Sequence, residues 1–395
     1  MKPAESVYRL STETAFSVLA EVNKLKETGK DIVSFAIGEP DFDTPEHIRQ
    51  AAKDALDRNE THYGPAIGIP PLRKALAEYI GSTRGVTVNP DQVCVMPGAK
   101  PALFHGILSC VGPGDEVVYP NPGFPMYASL INYAGATGVP LPLVEDRGFS
   151  FDHDQLRSLV NEKTAMIILN SPHNPTGGVL TPADLELIAE LALKYDTWVF
   201  TDEVYCQLVY EGKFHSLYDL PGMAERTILV DGFSKTYAMT GWRLGYGVFP
   251  EPLVPLITTF LVNSVSCTST FSQYAAIAAL TGPQDFVRDM REEFRARRDL
   301  LIDGLNALPG IRCHRPGGAF YAFPNVTGVC RSLGLKDASA LQQYLLHDAG
   351  VAVLERECFG PRNEGEAEEY LRFSYASSRE VLAAGLARIA AAITK

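Results

Sequence analysis

No stretch of this chain is apolar for long enough to cross a bilayer. The most apolar run, Phe249 to Val265, is broken by Glu251, by prolines and by Asn263, whereas a spanning helix needs about 20 consecutive apolar residues. The opening MKPAESVYRLSTETAF has no apolar core of the kind that marks a secretory signal. A cytoplasmic protein is therefore expected. Basic charge is also in short supply: 35 Lys and Arg face 47 Asp and Glu, for a net charge of −12. Nucleic acid and anionic membranes would repel such a chain, although small anions can still be held by a few local cations and backbone N–H groups. The seven cysteines form no C-x-x-C pair and no histidine cluster accompanies them. They read as free thiols in a reducing compartment, with no metal site. Repeats and low-complexity tracts are missing too, and the 27 prolines and 33 glycines are scattered as punctuation.

What is present is the composition of a folded protein, 46% hydrophobic and 21% charged. A length of 395 residues exceeds one ordinary core, so two packed domains are expected. The pattern predicts an amphipathic helix over 11–25 and a short strand over 32–35. A further helix should follow Thr44-Pro45, with Thr44 as its cap. From about residue 92 to 250, short Val- and Ile-rich runs alternate with helical patterns. The predicted strands are 92–96, 116–119, 165–170, 198–201, 227–231 and 244–249. Continuous apolar strands of this kind are covered by helices on both faces. The expectation is an α/β fold whose large domain has a mostly parallel sheet between helices, with ligands at the C-terminal strand ends. A charged helix over 285–305 and strand-like runs at 318–323 and 371–375 predict a smaller α+β domain. The boundaries read as 1–45 joining the small domain, 46–285 for the large domain and 286–395 for the small one.

Chemistry concentrates at strand ends. Gly232-Phe233-Ser234-Lys235-Thr236-Tyr237-Ala238-Met239-Thr240-Gly241-Trp242-Arg243-Leu244-Gly245 follows a predicted strand. A lysine there faces a crevice, and it can form a Schiff base with an aldehyde if burial or a neighbouring cation lowers its pKa. Arg243 can be that cation and can clamp a phosphate. This run resembles the pyridoxal 5'-phosphate (PLP) attachment segment of the class I aminotransferases, aspartate aminotransferase-like enzymes of PLP-dependent fold type I. The resemblance covers nearly the whole chain, from Phe35-Ala36-Ile37-Gly38-Glu39-Pro40-Asp41-Phe42 to Arg372-Phe373-Ser374-Tyr375.

The resemblance implies a set of roles. Lys235 is the covalent anchor and the proton carrier. Asp202, which by itself reads more readily as a helix N-cap, keeps the pyridine nitrogen protonated, and Tyr205 meets the ring's phenolic oxygen. Asn174 bonds the same oxygen and reaches the substrate carboxylate; the neighbouring His173 reads as loop-shaping. Ala99, Lys100, Ser234 and Arg243 hold the phosphate, with Gly232 where some relatives carry a serine. Phe124 stacks on the ring. Tyr63 reaches the phosphate of a neighbouring subunit, which implies a homodimer with shared sites. Arg372 clamps the substrate α-carboxylate as a planar fork, and Gly38 lets the backbone approach it.

The implied reaction moves an amino group between an L-amino acid and a 2-oxo acid, with 2-oxoglutarate as acceptor. Two other readings stay open at this point: a carbon–sulfur β-lyase on the same fold, and a non-catalytic PLP-binding regulator, for which no basic helix-turn-helix block is present. Lys100 stands where some aspartate-using relatives contact a second carboxylate, and Ser11 and Thr12 lie in a segment able to close over it. An acidic or broad donor is expected.

Overall fold

The protein is described from a computed structural model covering residues 1–11 and 14–394; Thr12 lies outside the described residues. The chain opens with helix α1 (Thr14–Glu27) and the two-residue strand β1 (Val33–Ser34), followed by helices α2 (Glu46–Asp57) and α3 (Pro70–Arg84). Eight strands then build one sheet: β2 (Val93–Met96), β3 (Glu116–Asn121), β4 (Thr137–Val144), β5 (Ser150–Phe151), β6 (Thr164–Asn170), β7 (Trp198–Asp202), β8 (Thr227–Gly232) and β9 (Gly245–Val248). Their order is β2-β9-β8-β7-β6-β3-β4-β5. The four pairings among β8, β7, β6, β3 and β4 are parallel, and the pairings of β9 and β5 are antiparallel.

Side chains of a strand alternate between faces, and both faces are covered. Met166 and Ile168 of β6 join the apolar cluster that contains Leu103 and Leu130, from helices α4 (Lys100–Cys110) and α5 (Met126–Ala134). Ile167 and Leu169 join the opposite cluster with Leu185 and Ile188 of the helix Pro182–Lys194. This explains why the sheet strands read as unbroken apolar runs.

Two expectations need correction. The sheet has two strands beyond the six predicted, β4 and β5. Pro140 and Pro142 disguise β4. They are tolerated because β5 pairs with β4 only at Leu143 and Val144, leaving most of that edge without ladder bonds for a proline to break. Thr44 does not cap α2, whose N-cap is Pro45. Its hydroxyl instead donates to the Ala238 carbonyl at 2.6 Å and accepts from Trp242 Nε1 at 3.0 Å, tying the N-terminal segment to the Lys235 loop.

The remaining strands are short: β10 (Tyr321–Ala322), β11 (Val351–Ala352), β12 (Leu354–Glu355) and β13 (Leu371–Ser374). They pair as β10-β13-β12, while β1 pairs with β11 in parallel. Val33 and Phe35 share one apolar cluster with Phe294, Phe320, Val351 and Phe373, so the N-terminal segment packs among C-terminal elements. No helix among the described residues is long and apolar enough to cross a membrane.

Candidate active site

Lys235 lies in a single-turn helix, Phe233–Thr236, directly after β8. Its Nζ donates to the Gly38 carbonyl at 2.5 Å. Burial lowers the ammonium's pKa to about 8, and Arg372, Arg243 and Lys100 act in the same sense against Glu39. The neutral amine, the nucleophilic and basic form, is thus far more accessible near neutral pH than that of an exposed lysine.

A cavity of about 420 Å³ surrounds this amine, a size that suits a small-molecule ligand. Its lining includes Gly38, Ala99, Lys100, Phe124, Asn174, Asp202, Tyr205, Ser234, Arg243 and Arg372. Every residue expected to hold cofactor or substrate is therefore gathered here except Tyr63, whose side chain is exposed elsewhere on the chain, at 91% relative accessibility.

Asp202 ends β7 and is buried. Its partners are neutral donors: Tyr127 Oη at 2.7 Å and the Val204 N–H at 3.4 Å. Burial pushes the carboxyl up to about 6. Neutral donors leave its charge uncompensated, so a cationic ring N–H placed there would be stabilised. Tyr205 Oη lies 2.8 Å from Tyr321 Oη. Arg372, on β13, donates from Nη1 to Asn174 Oδ1 at 3.1 Å and from Nη2 to the Ala36 carbonyl. Its guanidinium lies over the rings of Tyr321 and Phe359, at 4.6 and 4.9 Å.

Lys100 opens α4, where the first N–H groups have no carbonyl one turn earlier and suit an anion. Arg243 reaches the same corner. Its Nη1 donates to the Thr240 carbonyl at 2.8 Å, and a Cβ on Gly98 would come within 2.5 Å of its Nη2. Gly245 is equally constrained, because a Cβ there would meet Ala99 N at 2.6 Å. The glycines therefore let a helix start, a strand and a guanidinium converge. Cationic groups at one end, a buried carboxylate at the other and an amine between them match the charge pattern of a phosphorylated pyridine aldehyde. The residues present fit PLP.

Residues outside the sequence reading contribute as well. Tyr127 is the main side-chain partner of Asp202; its spacing of three from Phe124 across the start of a helix was the available signal. Tyr321 was hidden in an aromatic strand. Glu39 lines the cavity and accepts from Thr240 Oγ1. His173 is buried with Nδ1 at 2.8 Å from Thr176 Oγ1, and burial lowers its pKa to about 3, so it stays neutral and shapes its loop. Glu203 is bonded to Arg84 and Ser216 and does not line the cavity.

Comparison with known proteins decides the family. The profile described as "Aminotransferase class I and II" matches residues 30–389. This chain is a class I/II aminotransferase. It is 37% identical to the aspartate aminotransferase of Rhizobium meliloti (strain 1021) over 399 aligned positions, covering 99% of this chain and 96% of that one. It is 40% identical to aromatic-amino-acid aminotransferase 2 of Thermococcus litoralis, covering 94% of each. The structure of the Thermus thermophilus aspartate aminotransferase with maleate superposes with a TM-score of 0.93 at 36% identity, covering 99% of this chain and 100% of that one. The aminotransferase is thus an enzyme of amino-group transfer between amino acids and 2-oxo acids, with PLP as its cofactor. The relatives are named for transfer and not for elimination, so the β-lyase reading is not favoured.

Gly38 yields a local test. A Cβ at this position would overlap the Tyr321 hydroxyl. Gly38→Ala should displace Tyr321 from Tyr205 and lower kcat/KM by about 10²-fold, the cost of a misplacement near 1 Å. The melting temperature should fall as well, because Tyr321 is a fully buried core side chain, so rates are compared where both proteins remain folded.

Proposed function

We propose that this aminotransferase takes an acidic or broadly chosen amino donor, uses 2-oxoglutarate as acceptor, and works as a cytoplasmic homodimer with shared sites. The observation that carries the site reading is a lysine amine of lowered pKa sharing one cavity with a buried carboxylate and a buried arginine.

When bound, the cofactor supplies an aldehyde for Lys235 and an electron-accepting ring for the charge that develops at the substrate Cα. Ala99, Lys100, Ser234 and Arg243 would hold its phosphate, joined by Tyr63 of a second copy. Phe124 would stack on the ring, Asp202 would hold the ring nitrogen, and Tyr205 and Asn174 would hold the phenolic oxygen. Arg372 grips the donor α-carboxylate in two parallel hydrogen bonds, with Asn174 beside it and Gly38 leaving room. That grip orients the donor Cα–H towards the Lys235 amine. The amine removes the α-proton and later releases it, acting as base and then as acid. The exposure of Tyr63 supports its use by another chain. The shared cluster of Val33 and Phe35 with C-terminal residues supports the division into 1–45 with 286–395 and a large domain over 46–285.

The donor preference rests on Lys100. Its ammonium lies over the rings of Phe16 and Phe124, 5.6 and 5.7 Å from their centres, in a cavity whose lining also includes Leu19 and Ile37. A cation set in an apolar wall suits a second carboxylate and also tolerates a large apolar side chain. Maleate, the dicarboxylate that accompanies the Thermus enzyme, and the aromatic name of the Thermococcus relative support each half of that reading. Initial rates for aspartate, glutamate, alanine, phenylalanine and tyrosine against 2-oxoglutarate should rank the acidic donors first with aromatic donors measurable. Activity with alanine alone would refute this preference.

A pH effect follows from Asp202. Its carboxyl, raised to about 6 in the ligand-free protein, becomes neutral as pH falls through that value and loses its attraction for a ring cation. Cofactor affinity, titrated by absorbance, should hold above pH 6 and weaken below it. In Asp202→Asn that step should vanish and affinity should be low throughout.

A further inference from the structure

Next to the strand ends lies an ion cluster that none of these roles uses. The side chains of Arg84, Glu203 and Asp231 are 0, 1 and 2% exposed. Arg84, the last residue of α3, donates from Nε to Glu203 Oε2 at 2.9 Å and from Nη2 to Asp231 Oδ2 at 2.7 Å. The rest of the cluster is also bonded: Ser216 Oγ donates to Glu203 Oε1 at 2.6 Å and Tyr246 Oη to Asp231 Oδ2 at 2.9 Å.

Position in the chain gives the cluster its meaning. Glu203 directly follows Asp202, and Asp231 precedes Gly232, Phe233, Ser234 and Lys235. Successive strand residues face opposite ways. Accordingly Asp202 is bonded by Tyr127 of α5, whereas Glu203 is bonded by Arg84 of α3. The paired register of β7 and β8 ends at Asp202 and Val230, with one further bond from the Glu203 N–H to the Val230 carbonyl at 2.8 Å. Past that rung, Arg84 joins the two chain segments laterally.

We propose that Arg84 is a positioning residue for the cofactor site: by bridging Glu203, just past β7, and Asp231, near the end of β8, it sets the lateral spacing of these two strand ends, and through them the separation of the Asp202 carboxylate from the Lys235 amine. The proposal rests on the roles given above to Asp202 and Lys235. A buried ion network is a poor device for stability alone, since apolar side chains of similar volume commonly do as well. Its value lies in geometry, and a planar guanidinium fork reaches two carboxylates at defined angles where an ammonium is a point charge. After its own burial, the negative charges of Asp231 and Glu203 also disfavour the charged form of Asp202.

The test compares Arg84→Met and Arg84→Lys with Arg298→Met. Arg298 is a buried arginine, 3% exposed, that is paired with Glu211 and Asp299 away from the cavity. Cofactor-free protein is titrated with PLP, and kcat and KM are measured on the reconstituted enzyme. Arg84→Met should bind the cofactor at least tenfold more weakly and lose kcat with the donor KM nearly unchanged, because Arg372 and Asn174 sit on other elements. Arg84→Lys should recover part of both losses. Arg298→Met should lower the melting temperature and move neither affinity nor kcat. Wild-type affinity and kcat in Arg84→Met would overturn the proposal; if that variant does not fold, the same values in Arg84→Lys would do so. Failure of the underlying site reading looks different: the unaltered protein would take up no PLP, or Asp202→Asn would bind it as tightly as the unaltered protein.

Discussion

Alanine at position 235 should lower kcat for amino transfer by at least about 10⁴-fold, because one amine serves both as covalent anchor and as proton carrier. Lys235 is the group the fold prepares for this work. Its Nζ is held by the Gly38 carbonyl at 2.5 Å, and burial together with Arg372, Arg243 and Lys100 brings its pKa down to about 8. No other lysine of the cavity can replace it: Lys100 opens α4 and lies over the rings of Phe16 and Phe124. Cofactor affinity should fall far less than kcat, since the phosphate corner and Asp202 are untouched. The measurements are 2-oxo acid formation in a single turnover, PLP titration, and borohydride reduction followed by peptide mapping. Reduction should label Lys235 in the unaltered protein and leave Lys235→Ala unlabelled. An Lys235→Ala enzyme retaining a tenth of the normal rate would exclude the amine as proton carrier.

Replacement of Arg372 by lysine should reduce kcat/KM for amino acids by about 10²- to 10³-fold, in the range expected when a buried, hydrogen-bonded charge contact is truncated. The positive charge survives, but the fork does not. Arg372 is 5% exposed and is oriented by Asn174, by the Ala36 carbonyl and by the rings of Tyr321 and Phe359. A lysine ammonium can neither stack between two rings in that way nor bond both carboxylate oxygens in parallel. KM should rise more than kcat falls, because the grip acts on the bound donor as well as on the transition state. PLP affinity should change far less than kcat/KM, the cofactor group disturbed being Asn174, which loses its bond from Arg372. A donor amine without an α-carboxylate separates this role from general damage: the variant and the unaltered enzyme should turn it over at similar rates. A large loss on that donor too would mean that Arg372 supports the site as a whole.

The two variants differ in how readily the sequence discloses them. Lys235 sits in an unbroken fourteen-residue motif after a strand, so its chemistry is legible locally. Arg372 lies in a strand-like stretch where an arginine ordinarily faces water. Only the resemblance marked it, and only packing shows why it points inwards. The six predicted sheet strands appear within a residue or two of their expected ends, because a strand buried on both faces must be apolar throughout. β4 escaped because two prolines imitate a loop. Thr44 was misjudged as a cap because its local pattern cannot reveal that Ala238 and Trp242 compete for its hydroxyl.

By itself the sequence determined the layered α/β architecture, the motif that carries the lysine and the acid-plus-tyrosine strand end, since these depend on periodicity and on neighbours a few residues apart. Tertiary structure alone decided which groups tune them. Tyr127 meets Asp202 across 75 residues, Arg84 meets Glu203 across 119 and Asp231 across 147, and Arg372 meets Asn174 across 198. Such contacts leave no local periodicity, because each partner satisfies its own helix or strand first. They arise only when the folded backbone brings those elements together and burial makes an unmatched charge or hydroxyl too costly to leave alone.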